Sequence, residues 1–472
     1  MRICLVNPPI SRRQRYGGLS SIGSRLPPVN LALLAAVARR AGHDVTLLDA
    51  ERFGWDISET ASRVLAVCPD LVGLTAVTLS VTAAAMVADC LKRSPASVTV
   101  CIGGVHVTSN AEETLQRFPS IDVGVLGEGE KTLLELAGAL GKGTSLDRVD
   151  GLMFRRGQEL VRTAPRQPLT PEEMEGLPWP AWDLLPDFTR AYRPALHSFR
   201  RLPCVSLVTS RGCVGRCTFC DRTVSGSRVR GFSAEYLYTM IRDLVYRYKV
   251  REVMFHDDNF VMLRNRLRSF CELLIRDGPS ITWSCNARVD MINLELLHLM
   301  KRAGCWQIGY GIESGSQEIL DSLGKGITLE QVRQTLVWTR EAGIESRGYW
   351  MIGVPGETRD TLRKTRELLM ELPLNDFSMS MFAPHPGSQI TRELLDQGKI
   401  APDWERDSGF MVTYVPEGLS ADELVTTQRR SILGFYLRPR IILNYAKRMA
   451  SSPAAWLPLC KAVWQVARHR AA

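Results

Sequence analysis

Short apolar runs alternate with amphipathic stretches along the first 140 residues. "RICLVN", "DVTLLDA", "LVGLTAV", "VTVCIGG" and "DVGVLGEG" are brief and rich in β-branched residues, the pattern of strands buried on both faces. Between them, "PPVNLALLAAVARRAGH", "SETASRVLAVC", "VTAAAMVADCLKRS" and "NAEETLQRF" place apolar residues at helical spacing, and "KTLLELAGAL" follows the last strand. Strands alternating with helices predict a doubly wound, five-stranded parallel sheet. Such sheets bind ligands outside the carboxyl ends of their strands. The turns there carry Asn7-Pro8-Pro9, Asp49, Thr75 to Thr78, Gly103-Gly104-Val105-His106 and Gly127-Glu128-Gly129-Glu130. Glycine in two of these turns lets backbone approach a large ligand closely.

The rhythm breaks over 141–195, where "RQPLTPEEMEGLPWPAWDLLPDF" is dense in Pro and Trp and predicts an ordered linker. A second alternation runs from 204 to 385, with strands expected at "VSLVTS", "EVMFHDD", "ITWSCNA", "WQIGYGIE", "SRGYWMIG" and "FSMSMFAP". Six βα units with right-handed crossovers predict a partial (β/α)6, TIM-like barrel with its active site at the carboxyl ends. The expected division is a first domain at 1–142, a linker at 143–195, a barrel core at 196–400 and a basic helical region at 401–472.

Composition changes this picture in three places. The first apolar run, Ile3 to Val6, is too short for a signal peptide, and no run reaches membrane-spanning length. The expected location is the cytoplasm. There, the 12 cysteines point to metal or catalytic thiols rather than disulfides. The net charge of +9 is carried by the tail: no acidic residue follows Glu423, and Arg429, Arg430, Arg438, Arg440, Lys447, Arg448, Lys461, Arg468 and Arg470 account for the excess. The interleaved apolar residues favour a helix with a solvated basic face, and weak contact with an anionic membrane surface stays open. No nucleic-acid-binding motif is present, and Pro439, Pro453 and Pro458 cut the tail into short helices.

"RGCVGRCTFC" directly follows the first barrel strand. A structural zinc site wants four ligands, and no second Cys/His pair lies at a suitable distance from Cys213, Cys217 and Cys220. Three thiolates on one tight loop suffice for three irons of a [4Fe–4S] cube, leaving the fourth open, as catalytic metal sites do. C-x3-C-x2-C with Phe219 before the last cysteine, after the first strand of a partial barrel, resembles the radical S-adenosylmethionine superfamily. The resemblance implies that the open iron chelates S-adenosylmethionine and that the reduced cluster cleaves it to a 5′-deoxyadenosyl radical. It also implies an electron donor such as flavodoxin or ferredoxin.

The later strand ends match that family's elements in order. Asp257 and Asp258 in "EVMFHDDNF" stand where the family places a polar group near the methionyl amine. Arg288 follows Asn286 in "SCNARVD", and Glu313 and Ser314 fall in "IGYGIESG". Gly353 and Pro355 in "IGVPGE" stand where the adenine approaches. Together with Phe219 these are the implied S-adenosylmethionine contacts. His256 and His385 carry no assigned role, and the resemblance leaves the catalytic residues unknown.

Residues 1–140 before such a core resemble the cobalamin-binding domain of cobalamin-dependent members of the superfamily. The implied contacts are Asn7, Pro8, Thr75, Thr78, Gly103, Gly104, His106, Gly127 and Glu128. The D-x-H-x-x-G motif of other cobalamin domains is absent, so cobalt is expected without a lower histidine. The implied activity is C-methylation of an unactivated carbon in a small biosynthetic intermediate, using methylcobalamin. The alternatives are radical cyclisation, dehydration or rearrangement, and a non-catalytic cobalamin or iron–sulfur sensor.

Overall fold

The computed structural model describes residues 1–450 except 18–19, 21–22, 96, 193, 196–197, 402–404 and 406–407. Strands β1 (Arg2–Asn7), β2 (Asp44–Asp49), β3 (Leu71–Thr75), β4 (Thr99–Gly103) and β5 (Val123–Val125) form a parallel array in the order β2-β1-β3-β4-β5. Both faces are covered. Ile3 and Leu5 pack toward the helices Val29–Arg40 and Gly129–Lys142, while Cys4 and Val6 join the cluster containing Val64, Val81 and Ala84. The order in which strands are added reverses between β1 and β3, so the strand ends open a crevice there.

The five parallel strands are where the apolar runs predict them. The sheet then continues: β6 (Leu152–Arg156) and β7 (Glu159–Arg162) add an antiparallel hairpin beside β5, making seven strands. The linker reading overlooked this hairpin. Leu152, Met153 and Phe154 supply its buried residues, and Gly157-Gln158 forms its two-residue turn.

The rest of the linker joins the two halves. Leu169, Met174, Leu177, Trp182, Leu185, Phe188 and Tyr192 are buried in one core continuous with both sheets. Trp182 stacks on Phe188 with centroids 5.2 Å apart, and Phe188 meets Tyr248 of the barrel at 4.9 Å.

The second sheet contains β8 (Cys204–Leu207), β11 (Glu252–Phe255), β12 (Thr282–Ala287), β13 (Cys305–Glu313), β14 (Glu345–Ile352) and β15 (Asp376–Met381), all parallel and adjacent in chain order. Two-residue strands β9 (Ser210–Arg211) and β10 (Arg230–Gly231) pair antiparallel at its mouth. The far edge is not left bare. Helix Ala421–Tyr436 lies against β15, where Gln428 Nε2 donates to the Met379 carbonyl at 2.7 Å and Phe435 meets Phe377 at 4.7 Å. Part of the basic tail holds this helix down: Arg438 lies over the Phe435 ring, and Arg440 donates to the Leu374 carbonyl at 2.9 Å. Lys461, Arg468 and Arg470 lie outside the described residues. No described helix is long and apolar enough to cross a membrane.

Candidate active site

The cysteine loop hangs between β9 and β10, which fasten its two ends together. Inside it, the Cys213 amide donates to the Gly226 carbonyl at 3.3 Å, the Thr218 amide to Leu323 at 2.9 Å and the Cys220 amide to Cys217 at 3.3 Å. Cys217 is buried, whereas Cys213 and Cys220 are partly or fully open. Cations face the sulfurs. Arg288 reaches Cys217 Sγ at 3.9 Å while bonding both oxygens of Asp290 at 3.0 Å and the Lys325 carbonyl at 2.8 Å. Lys325 Nζ bonds Glu313 Oε1 at 2.7 Å and lies 5.8 Å from the Phe219 centroid.

The charge state follows from that arrangement. A hydrogen bond from Cys220 pulls the Cys217 thiol down to about 6, helped against burial by Lys325 and Arg288. Cys220, the proton donor of the pair, is pushed up. Thiolates are the metal-binding form, so the loop favours the ligand state. No three described His, Cys, Asp or Glu side chains converge as they would around a single ion. A cluster needs no such convergence, since each thiolate of a cube binds a different iron. Three sulfurs on one loop, flanked by two held cations, fit an anionic cluster with one uncovered corner.

Polar contacts join this loop to the first sheet at two places, its base and its middle. Arg211, two residues before Cys213, pairs with Glu130 and, at 3.2 Å, with Glu128. Arg230 of β10 donates to Glu128 at 2.8 and 3.2 Å, and the Leu169 amide adds a bond to the same carboxylate at 2.8 Å. Burial alone would raise Glu128, but Arg230 and Arg211 hold it below its usual range. In the middle of the loop, Asp221, next to Cys220, accepts from Ser109 Oγ at 2.5 Å and from the Thr223 amide at 2.8 Å. Ser109 closes the short helix that begins beyond Gly104.

The implied S-adenosylmethionine contacts divide into two groups. Phe219, Arg288 and Glu313 gather at the cysteine loop. Asp258 follows β11 with part of its surface exposed, and desolvation together with Asp257 raises its carboxyl. Gly353 and Pro355 shape the loop after β14, where Gly353 N donates to Glu357. Asp257 and Ser314 are instead spent on the scaffold. Asp257 is fully buried, accepting from the Thr209 amide at 2.6 Å, Thr209 Oγ1 at 2.8 Å, Ser210 Oγ and, at 3.4 Å, Arg266. Ser314 is fully buried and bonds Thr365 Oγ1 at 3.2 Å.

Among the implied cobalamin contacts, Asn7, Pro8, Thr75, Thr78, Gly103, Gly104 and Gly127 lie along the carboxyl edge of the sheet. Asn7 Nδ2 bonds Asp49 at 2.8 Å, and Tyr192 holds the other Asp49 oxygen at 2.7 Å. Gly104 has φ +117°, and a Cβ there would stand 2.4 Å from the Ala76 carbonyl oxygen, so this wall of the crevice is bare backbone. Thr82 Oγ1 is buried nearby with no hydrogen-bond partner among the described residues, and Val77 on the crest is exposed. A bare backbone wall, an unmet hydroxyl and exposed apolar surface fit a large planar ligand. His106 is buried on the helix after Gly104. Glu128 does not face the crevice, since both its oxygens bind the barrel's arginines.

The sequence reading missed Glu130, Arg211, Arg230, Asp221, Ser109, Lys325 and Glu357. Except for Glu357, which accepts from Gly353 of its own loop, their partners lie across domains or on separate loops, so no local spacing marks them. Only the "GEGE" turn carried a signal, and it was read as a ligand cradle.

Comparisons with known proteins agree with this arrangement. The radical SAM superfamily model matches residues 207–369, and the B12 binding domain model matches 17–137. An uncharacterized methyltransferase of Pyrococcus horikoshii is 30% identical over 448 residues, 94% of each chain. The anaerobic magnesium-protoporphyrin IX monomethyl ester cyclase of Rubrivivax gelatinosus is 26% identical, over 94% of this chain and 79% of its own. Among solved structures, a radical S-adenosylmethionine methyltransferase from Kitasatospora setae, with cobalamin and a [4Fe–4S] cluster bound, superposes with a TM-score of 0.69. It is 20% identical and covers 84% of this chain and 75% of that one, a likeness of fold. With the cysteine loop at the mouth of a half-barrel and a B12-type sheet docked against it, the chain belongs to the radical S-adenosylmethionine enzymes that carry an N-terminal cobalamin-binding domain.

Proposed function

We propose that the protein methylates an unactivated carbon of a small biosynthetic intermediate, using S-adenosylmethionine, a [4Fe–4S] cluster and cobalamin. When bound, the cluster supplies the electron that cleaves the sulfonium to a 5′-deoxyadenosyl radical, and cobalamin supplies methyl transfer. The chain's part is to bind, orient and exclude water. Cys213, Cys217 and Cys220 hold the cluster. Arg288 and Lys325 balance its charge, Glu313 keeps Lys325 in place, and the Gly353–Glu357 loop receives the nucleoside end of S-adenosylmethionine. The Asn7, Thr75 and Gly103-Gly104 edge holds the corrin.

The observation that carries this reading is the double attachment of the cysteine loop. Glu128 and Glu130 at its base and Ser109 at its middle tie it to the first sheet. Chemistry begun at the loop therefore has the second cofactor's site fixed beside it. The protein would work in the reducing cytoplasm, fed by an electron donor such as flavodoxin or ferredoxin. Weak contact with a membrane surface rests on exposed Leu437, Ile442 and Leu443 beside the basic tail.

Product analysis by mass spectrometry, after anaerobic reconstitution with cobalamin, S-adenosylmethionine and reductant, tests the proposal. 5′-Deoxyadenosine together with S-adenosylhomocysteine is the expected pair. Deoxyadenosine alone favours the second reading, radical cyclisation without methyl transfer, which rests on the cyclase relative's match over 94% of this chain. Neither product from protein with an intact cluster leaves the sensor.

A further inference from the structure

Two central strands of the half-barrel leave their inner side chains partly exposed, where a closed barrel would bury them. Along β12, inner Ser284 and Asn286 are partly exposed while outer Trp283 and Cys285 are buried. Along β14, inner Arg347, Tyr349 and Met351 are partly exposed while Trp350 and Ile352 are buried. The outer assignment is fixed by Tyr310 of β13, which bonds Thr339 on the covering helix at 2.8 Å. On these two strands the inner face is therefore partly open, and its side chains are largely polar.

One level of that face is set by register. Asn286 pairs with Gly309, Gly309 with Arg347, and Arg347 with Asp376. A Cβ on Gly309 would stand 2.6 Å from the Tyr349 ring and 2.7 Å from Asn286 Oδ1. Without it, the Tyr349 hydroxyl donates to Asn286 Oδ1 at 3.3 Å and the two side chains bridge the strand. Gln307, two residues earlier on the same face, has a buried Nε2 with no partner among the described residues.

Arg347 stands at this level with its side chain 13% exposed. Its Nε lies 3.4 Å from Asp376 Oδ2, yet neither atom has a hydrogen-bond partner among the described residues. The other Asp376 oxygen already accepts from Tyr436 at 2.5 Å and Tyr445 at 3.2 Å. Asp376 thus orients the guanidinium without using its donors. An arginine kept only as a counter-ion would bond its carboxylate, because buried donors left unmet are costly. Three acidic residues of the half-barrel are committed to cations of their own: Glu313 to Lys325, Asp257 to Arg266, and Asp290 to Arg288.

We infer that the floor of the half-barrel is a subsite for an anionic group of the substrate, a carboxylate or a phosphonate, received by Arg347. The inference rests on the barrel being the substrate chamber of the proposed reaction. Planar guanidinium donors match either anion bidentately. Arg347 lies two residues below Tyr349, one side-chain layer of about 7 Å. An anion held there leaves the rest of the molecule reaching up toward the cysteine loop.

Ligand-observed NMR on the reconstituted full chain, with propionate, methylphosphonate and the neutral isostere propionamide as probes, tests this. At least one anion is expected to bind wild-type protein about tenfold or more tighter than propionamide. Arg347→Gln should remove that preference and leave propionamide unchanged, and Arg347→Lys should restore part of it. The tighter anion tells carboxylate from phosphonate. Equal affinity for anions and amide in the wild type, or an anion preference that survives Arg347→Gln, overturns the inference. Should the glutamine chain lose its fold, undiminished anion preference in Arg347→Lys would contradict bidentate recognition, and a reduced preference supports it. Wild-type protein that binds the anions yet forms no deoxyadenosine would bring down the proposed reaction and leave the subsite standing.

Discussion

In the first sheet, β1 buries Ile3 to Val6 on both faces, whereas in the half-barrel β14 alternates buried outer residues with half-open inner ones. Both are parallel βα arrays. The first is sandwiched between helix layers, so a ligand meets only loops beyond the strand ends. The second curls and stops at six strands, with helices on the outside alone, so it keeps an interior. One sheet therefore offers an edge and the other a chamber, and the cysteine loop sits where edge and mouth meet.

The largest effect expected on this division is that of Cys217→Ala. It should abolish the cluster's visible absorbance and reduce S-adenosylmethionine cleavage to background, while cobalamin titration is unchanged. Loss of both ligands together would mean that edge and chamber are not separate sites. Gly104→Ala is the mirror experiment. A Cβ 2.4 Å from the Ala76 oxygen, at φ +117°, has to displace backbone. Strain of roughly 3 kcal/mol corresponds to about a hundredfold loss of cobalamin affinity. Cluster content should not move, and undiminished affinity would show that the corrin does not use this turn.

Glu128→Gln probes the join. It leaves the Arg230 charge, 5% exposed, without its counter-charge, at a cost of about 3 kcal/mol. Denaturant unfolding, expected as a single step in the wild type, should resolve into two. A single step at unchanged midpoint would dismiss the clamp. The finest test is the pH dependence of Glu357. Burial pushes its carboxyl up to about 7 from an ordinary 4.5, so the folded chain keeps a proton that the unfolded chain releases. Its stabilising contribution is complete below pH 4.5 and is lost as pH rises through 7, up to about 3 kcal/mol in all. Glu357→Gln should flatten the fall in melting temperature across that window, and an unchanged slope would assign the fall elsewhere.

Much of this division is legible in the chain. Apolar runs gave both strand sets because buried parallel strands need little else, and the Cys213, Cys217 and Cys220 spacing is a local property. The hairpin β6–β7 was hidden by the Pro- and Trp-rich residues that follow it. Glu128, Asp257 and Ser314 show the deeper limit. Each is a polar residue at a strand end, as a ligand contact would be, and each turns toward a partner elsewhere in the fold: Arg230, Thr209 and Thr365. Spacing along a chain tells which residues reach a strand end, but only packing tells what each one faces there. Arg347 was invisible for the same reason, since its meaning comes from the unspent donors around it.

The open corner of the cluster is the account's central claim. Electron paramagnetic resonance of the anaerobically reconstituted, reduced protein tests it most directly when recorded with and without S-adenosylmethionine. The account predicts a [4Fe–4S] signal whose g-values shift when S-adenosylmethionine binds the uncovered iron, and no such signal in Cys217→Ala. A full complement of cluster whose spectrum S-adenosylmethionine leaves untouched would contradict it.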